Sequence, residues 1–256
     1  MEKKKIEKLF KYRQLPVMMQ TMPKEERKAL NKKLVKLQSA IYALDLYLES
    51  NWKLSDEELN NYWNEINSRM DELGVSADGR TKLTASIKRY QLHESQIREN
   101  KLPTRLDPEY YYYYKSCDVR LMRNLIYRFT PQLAKSESAT DWRYYDLITE
   151  INDDIGDLYE DLDTINGNLF IIKIFEEGLE ESVKFFSDFL DDILLKSIER
   201  FRSKSKEELR YISNLTFVRY VETKSLLNQM KNDIEKKGIS SKKVMIKKLK
   251  KLKKSQ

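Results

Sequence analysis

The chain is poor in the residues that interrupt, staple or coordinate. It has one cysteine, one histidine, six glycines and five prolines among 256 residues. A single thiol, Cys117, leaves no intramolecular disulfide framework, which fits a reducing compartment. With His93 as the only imidazole, a His-based triad has one candidate, and there is neither a Cys/His zinc spacing nor a Gly-rich phosphate loop. No apolar run approaches the roughly 20 residues that cross a bilayer. The N-terminal stretch MEKKKIEKLFKY lacks the apolar core and small-residue cleavage site of a secretory signal. The expected location is therefore the cytoplasm.

Leu, Lys, Glu, Ile and Asn are abundant, and hydrophobic residues make up 40% of the chain, enough for a real core. Apolar residues recur at helical spacing almost throughout, so the fold class is all-α. A short first helix ends before Pro16, and a long one covers 24–48. Ser55, with Glu58 three residues on, has the form of a capping box opening a helix towards Met70. Gly74 and Gly79 bracket a turn, and a helix over 82–99 is broken around Pro103 and Pro108. Tyr110 begins a helix that reaches Phe129 before Pro131. After a polar loop over 135–140, Thr140 or Asp141 caps a helix running to about Ile165. Asn166 and Gly167 break it, an apolar helix restarts at 169–175, and two more follow near 180–202 and 205–236. This predicts one bundle of about nine or ten helices over residues 1–236, followed by a lysine-rich tail over 237–256.

The formal charge of +7 is not spread evenly. Eight lysines lie between Lys242 and Lys254 with no acid among them, and without them the chain holds 40 basic against 41 acidic residues. That near-neutrality argues against a nucleic-acid binder. In the tail, Met245, Ile246, Leu249 and Leu252 fall along one helical face among the lysines. The pattern suits an interfacial helix on an anionic membrane surface, and equally a calmodulin-like partner, RNA or a solubilising disordered tail.

Residues 152–161, NDDIGDLYED, place five carboxylates and one carboxamide in a segment whose flanks, Leu147, Ile148, Ile151, Ile155 and Leu158, are patterned for burial. On a helix, Asn152, Gly156 and Glu160 form one stripe and Asp153, Asp157 and Asp161 the next. Like charges four residues apart destabilise a helix unless something compensates. Mg²⁺, which takes oxygen ligands and is held by few carboxylates together with substrate phosphates, is one compensator. Solvent on an exposed acidic face is the other.

NDDIGDLYE also resembles the second metal-binding motif of the class I terpene synthases, through Asn152, Asp153, Gly156 and Glu160. The same letters are similar to the DDxxD of trans-prenyltransferases (Asp153, Asp154, Asp157) and the DxxED of squalene- and phytoene-type synthases (Asp157, Glu160, Asp161). The following NGNLFIIKIFEEGLEESVKFFSDFL looks like the helix break and helices after that motif in the family. The resemblance covers about residues 40–222. It implies a class I isoprenoid synthase fold, Mg²⁺ as cofactor and a prenyl diphosphate as substrate. It further implies an upstream acidic motif facing the first, for which Asp45 and Glu49 in YALDLYLES are the candidates, although position 46 is Leu where DDxxD has Asp. Lys115 and Asp118 resemble the basic sensor of the diphosphate and its linking acid, with Arg120 and Arg123 beside them. Arg219 and Tyr220 are similar to a C-terminal Arg-Tyr pair that hydrogen-bonds the diphosphate.

The implied reaction is ionisation of the allylic C–O bond with loss of diphosphate in an enclosed apolar cavity, to which the 16 Tyr, 9 Phe and 3 Trp would lend ring faces. The same aromatics serve equally as core. A terpene cyclase is the first expectation. A trans-prenyltransferase or squalene/phytoene-type synthase is the second, and a non-catalytic helical scaffold or nucleic-acid- or membrane-binding protein the third. Attachment at the membrane would be peripheral, through the tail, and both monomer and homodimer stay open.

Overall fold

A computed structural model describes residues 3–98, 107–162, 164, 166–202 and 208–239. Among these residues there are thirteen helices and no strand. They are α1 (Lys3–Tyr12), α2 (Leu15–Met18), α3 (Lys24–Ser50), α4 (Asp56–Glu72), α5 (Ala77–Arg98), α6 (Pro108–Lys115), α7 (Cys117–Phe129), α8 (Leu133–Ser136), α9 (Arg143–Gly156), α10 (Leu158–Asp161), α11 (Leu169–Glu177), α12 (Leu179–Arg202) and α13 (Glu208–Lys237). The all-α expectation holds. The count of nine or ten does not, because two expected helices are each divided and short turns at Leu15–Met18 and Leu133–Ser136 form helices of their own. None of the described helices is long and apolar enough to cross a membrane. The tail expected to carry the basic amphipathic face, 242–254, lies outside the described residues.

The described residues gather into two compact units, one drawn from those up to 92 and within 116–139, the other from those within 93–115 and 140–239. In the first, α1 packs on α2 and α3, α3 on α4, and α7 on α2, α3 and α8. Its core includes Ile6, Phe10, Leu34, Leu37, Leu44, Ile66, Met122 and Leu125. Ser55 caps α4 as its sequence predicts, its hydroxyl accepting from the Glu58 amide at 3.4 Å. Gly74 (φ 71°) takes the left-handed conformation that ends α4, while Gly79 lies inside α5 rather than at the far side of a turn.

In the second unit α9 is central. It packs against α6, α10, α11, α12 and α13, while α12 packs in turn against α11 and α13. The apolar residues expected to face inward, Leu147, Ile148, Ile151, Ile155 and Leu158, are all fully buried. Along α13 the buried stripe is Ile212, Thr216, Arg219, Thr223, Leu227, Met230 and Ile234. Neither Thr140 nor Asp141 caps α9: its N-cap position is Trp142, without a side-chain cap, and Asp141 instead accepts from Arg200 of α12 at 2.9 Å.

Candidate functional site

The acidic segment does not form one uninterrupted helix to residue 165. α9 ends at Gly156, Asp157 (φ −91°, ψ 10°) stands between the helices, and α10 ends at Asp161. The bonds Asp157 N–H to Asp153 O and Asp161 N–H to Asp157 O, both 2.8 Å, carry the coil through the break. The five carboxylates therefore still alternate between an inner and an outer face.

Asp154 and Asp161 point inward. Asp154 is 1% exposed. One of its oxygens takes the Lys115 ammonium, and the other accepts from the Tyr112 hydroxyl at 2.8 Å and the Leu169 amide at 2.9 Å. Asp161 accepts from the amides of Asn166 (3.0 Å) and Asn168 (2.7 Å). Asn168 also donates to the Asp154 carbonyl at 2.7 Å, and its side-chain oxygen accepts from the Ile171 amide at 3.0 Å, so it caps α11. The Tyr111 hydroxyl donates to the Gly167 carbonyl. A buried polar network thus ties the end of α6 and the N-terminus of α11 to the inner face of α9 and α10.

Charge in this network is unevenly matched. Burial opposes the Lys115 ammonium, but the charges of Asp154 and Asp161 outweigh it and hold its pKa well above the usual lysine value. Burial raises Asp161 to about 7 against the lowering effects of Lys115 and the Asn168 amide. Burial, then the charge and hydrogen bond of Asp154, push Tyr112 well above an ordinary phenol.

The outer face carries Asp153, Asp157 and Glu160 at i, i+4 and i+7, with Asp157 and Glu160 exposed and Asp153 half-buried. Although Asp157 is exposed as a residue, the protein around its carboxyl removes water from it. That desolvation, then the charges of Asp153 and Glu160, raise its pKa. Asn152 donates to the Thr223 hydroxyl at 2.9 Å, which fixes the plane of its carboxamide against α13. A Cβ on Gly156 would sit 3.6 Å from Leu226, an ordinary contact, so alanine fits there.

Among the described residues no three His, Cys, Asp or Glu converge tightly enough to hold a metal by themselves. Mg²⁺ keeps several waters and completes its shell from substrate phosphates, so one or two carboxylates suffice to seat it. The outer face fits that requirement, and the inner pair does not, since Asp154 is saturated by donors.

The other residues singled out from the sequence fall in several places. Arg219 is buried on α13, donating to the Tyr145 hydroxyl at 3.3 Å and paired with Glu222 at 3.2 Å. Tyr220 donates to Asp191 at 2.6 Å, a bond that with burial raises its hydroxyl to about 12, and Lys224 pairs with the same carboxylate at 2.9 Å. In the first unit, Asp45 and Glu49 are half-buried on α3. Asp118 accepts from Gln38 at 2.7 Å, while Lys115 is engaged with Asp154. Arg120 is buried on α7, and Arg123, fully buried, donates to the Arg13 carbonyl at 2.9 Å and meets the Met18 sulfur at 3.4 Å.

Tyr111, Tyr112 and Asn168 escaped the sequence reading. For Asn168 a signal existed: an asparagine directly before the apolar run LFIIKIF, in the position of an N-cap. Compared with family models, characterised proteins and solved structures, the chain matches none of them.

Proposed function

We propose that the chain is a Mg²⁺-dependent enzyme acting on a prenyl diphosphate, in the manner of a class I terpene cyclase, with Asp153, Asp157 and Glu160 as its carboxylate face. The observation that carries this reading is the placement of Asp153, Asp157 and Glu160 at i, i+4 and i+7 on one outer face, where desolvation first and then the neighbouring like charges raise the Asp157 carboxyl, a crowding of charge that a divalent cation relieves. Bound Mg²⁺ would supply neutralisation of the diphosphate leaving group.

The chain's own contributions are positional. The buried Lys115–Asp154 pair and the Asn168 cap fix α9 and α10 from behind, so that the outer carboxylates keep their spacing. Thr223 orients Asn152 beside them, as partners behind a ligand commonly do. Arg219 and Tyr220 lie on the neighbouring α13 within the same unit, Arg219 one helical turn before Thr223.

Purified protein incubated with Mg²⁺ and geranyl, farnesyl or geranylgeranyl diphosphate tests the proposal, each alone and with isopentenyl diphosphate, followed by mass spectrometry of extracts. A Mg²⁺-dependent hydrocarbon or alcohol from a single allylic substrate supports a cyclase. A longer diphosphate that needs isopentenyl diphosphate assigns a trans-prenyltransferase instead. No turnover in any combination favours a second reading, a helical protein without ionisation chemistry. One observation favours it already: two of the five carboxylates, Asp154 and Asp161, are taken up by bonds that hold the fold.

A further inference from the structure

Residues 1–36 carry twelve Lys and Arg against four Asp and Glu, a concentration that a whole-chain tally conceals because the middle of the chain is acidic. In the first unit these residues form α1, α2 and the first half of α3, with α1 packed on α3. Ile6 and Phe10 are buried on the inner side of α1, which turns Lys4, Lys8 and Lys11 outward. Lys24, Lys28 and Lys32 follow at i, i+4 and i+8 on α3, all exposed. Of these six only Lys28 is in an ion pair among the described residues, with Glu25, itself exposed. Exposed Glu25 and Glu26 and half-buried Glu7 are the acids of α1 and the first half of α3, and they leave the surface strongly positive.

From this we infer that the α1–α3 face is a docking surface for an anionic lipid bilayer, engaged through charge alone. Lysine clusters of this size attract acidic headgroups, with each residue near the surface raising partition about fivefold. No large hydrophobic side chain is exposed on α1 or on α3 before Leu46, so nothing on this face inserts into the acyl region. The band also offers no exposed arginine fork or aromatic ring to grip or stack on bases. The preference for lipid over nucleic acid rests in addition on the proposed prenyl substrate, an amphiphile that partitions into membranes. The Lys242–Lys254 tail supplies a separate basic element, so the two must be tested apart.

The test is co-sedimentation of the full-length protein with vesicles of phosphatidylcholine, with and without about one third phosphatidylserine, at physiological salt and without Mg²⁺ or substrate. One variant carries Lys8→Glu, Lys28→Glu and Lys32→Glu, another Lys247→Glu, Lys250→Glu and Lys251→Glu. Thermal melts followed by circular dichroism check that each folds. Binding only to the anionic vesicles, lowered on the order of a hundredfold by the α1–α3 variant, is the expected result. Equal partition of wild type and that variant overturns the inference and leaves the tail as the attachment. Binding of duplex DNA or RNA through the same lysines, without vesicle partition, overturns it in favour of nucleic acid. Since this test measures binding alone, failure of the diphosphate assay would remove the proposed reaction without altering vesicle binding, and loss of vesicle binding would leave that reaction standing.

Discussion

The ammonium of Lys115 lies against a carboxylate oxygen of Asp154 where water scarcely reaches, the two side chains being 13% and 1% exposed. The pair joins the last residue of α6 to the inner face of α9. Two charges in such a place are stable only together, because each alone would be an uncompensated buried charge. Replacing Asp154 with alanine removes the partner of Lys115 and strands the Tyr112 hydroxyl and the Leu169 amide as well. A loss of about 3–5 kcal/mol is expected, read as a fall in the urea midpoint. The double variant Lys115→Met, Asp154→Leu should lose less than Asp154→Ala alone. A double variant that is the less stable of the two would show that the hydrogen bonds of Asp154, and not its charge pairing, dominate.

Asn168 has more to lose than an ordinary helix cap. Its side chain caps α11 through Ile171 and also donates to Asp161 and to the Asp154 carbonyl. An exposed cap is worth about 1 kcal/mol, and stranding buried acceptors adds about 1–3 kcal/mol. Asn168→Ala should therefore cost clearly more than the cap alone, and Asn168→Asp, which keeps the cap oxygen but sets a third carboxylate beside Asp161, should not restore it. Equilibrium denaturation at pH 8 decides, and full stability in the aspartate variant would refute the role assigned to the amide.

Asp161 gives the protein a pH signature. Its carboxyl holds its proton up to about pH 7 in the folded state, against an ordinary value of 3.8. Between those limits the folded chain binds more protons at this position than the unfolded chain, so stability falls as pH rises from about 4 to about 7 and then levels off. The slope due to this group approaches about 1.4 kcal/mol per pH unit at most. Asp161→Asn should remove that slope. Denaturation midpoints between pH 4 and pH 8, with chelator present, would expose an error if wild type and variant ran parallel.

Most of the helical frame was legible because it rests on local chemistry. The helix expected over 24–48 is observed at Lys24–Ser50, the Ser55 cap is present, and the expected 180–202 is Leu179–Arg202. The breaks were harder. Periodicity carries Tyr110 to Phe129 as one helix, yet the chain divides at Ser116, and it carries the acidic segment on past Asp157 where the helix is interrupted. Nothing in the run of apolar positions registers a break that keeps the phase of its side chains. Spacing alone places Asp161 in one stripe with the outer carboxylates Asp153 and Asp157. The fold divides them by burial, because Asn166 and Asn168, beyond the end of α10, return to meet Asp161. Such tertiary donors leave no periodic trace. The positive band over residues 1–36 was missed for another reason: net charge averages over a chain whose charge is segregated.

That division of the acidic segment predicts opposite effects on stability and on activity at one residue. Asp157 stands between Asp153 and Glu160 without an internal hydrogen-bond role comparable to that of Asp154, and its raised pKa records the cost of its charge there. Asp157→Asn removes a like-charge neighbour and should leave the metal-free protein as stable as wild type or more stable by about 0.2–0.5 kcal/mol. If the outer face seats Mg²⁺, the same change should lower Mg²⁺-dependent turnover of the prenyl diphosphate by at least about tenfold, and added Mg²⁺ should stabilise wild type more than the variant in the presence of inorganic diphosphate. Asp154→Asn should differ from it in kind, losing stability with or without the metal. Thermal melts of the three proteins, with and without Mg²⁺ and diphosphate, separate the cases. A Mg²⁺ response unchanged in Asp157→Asn would remove the outer face from the proposed site, whereas a destabilised Asp157→Asn would mean that its carboxylate belongs to the scaffold as Asp154 and Asp161 do.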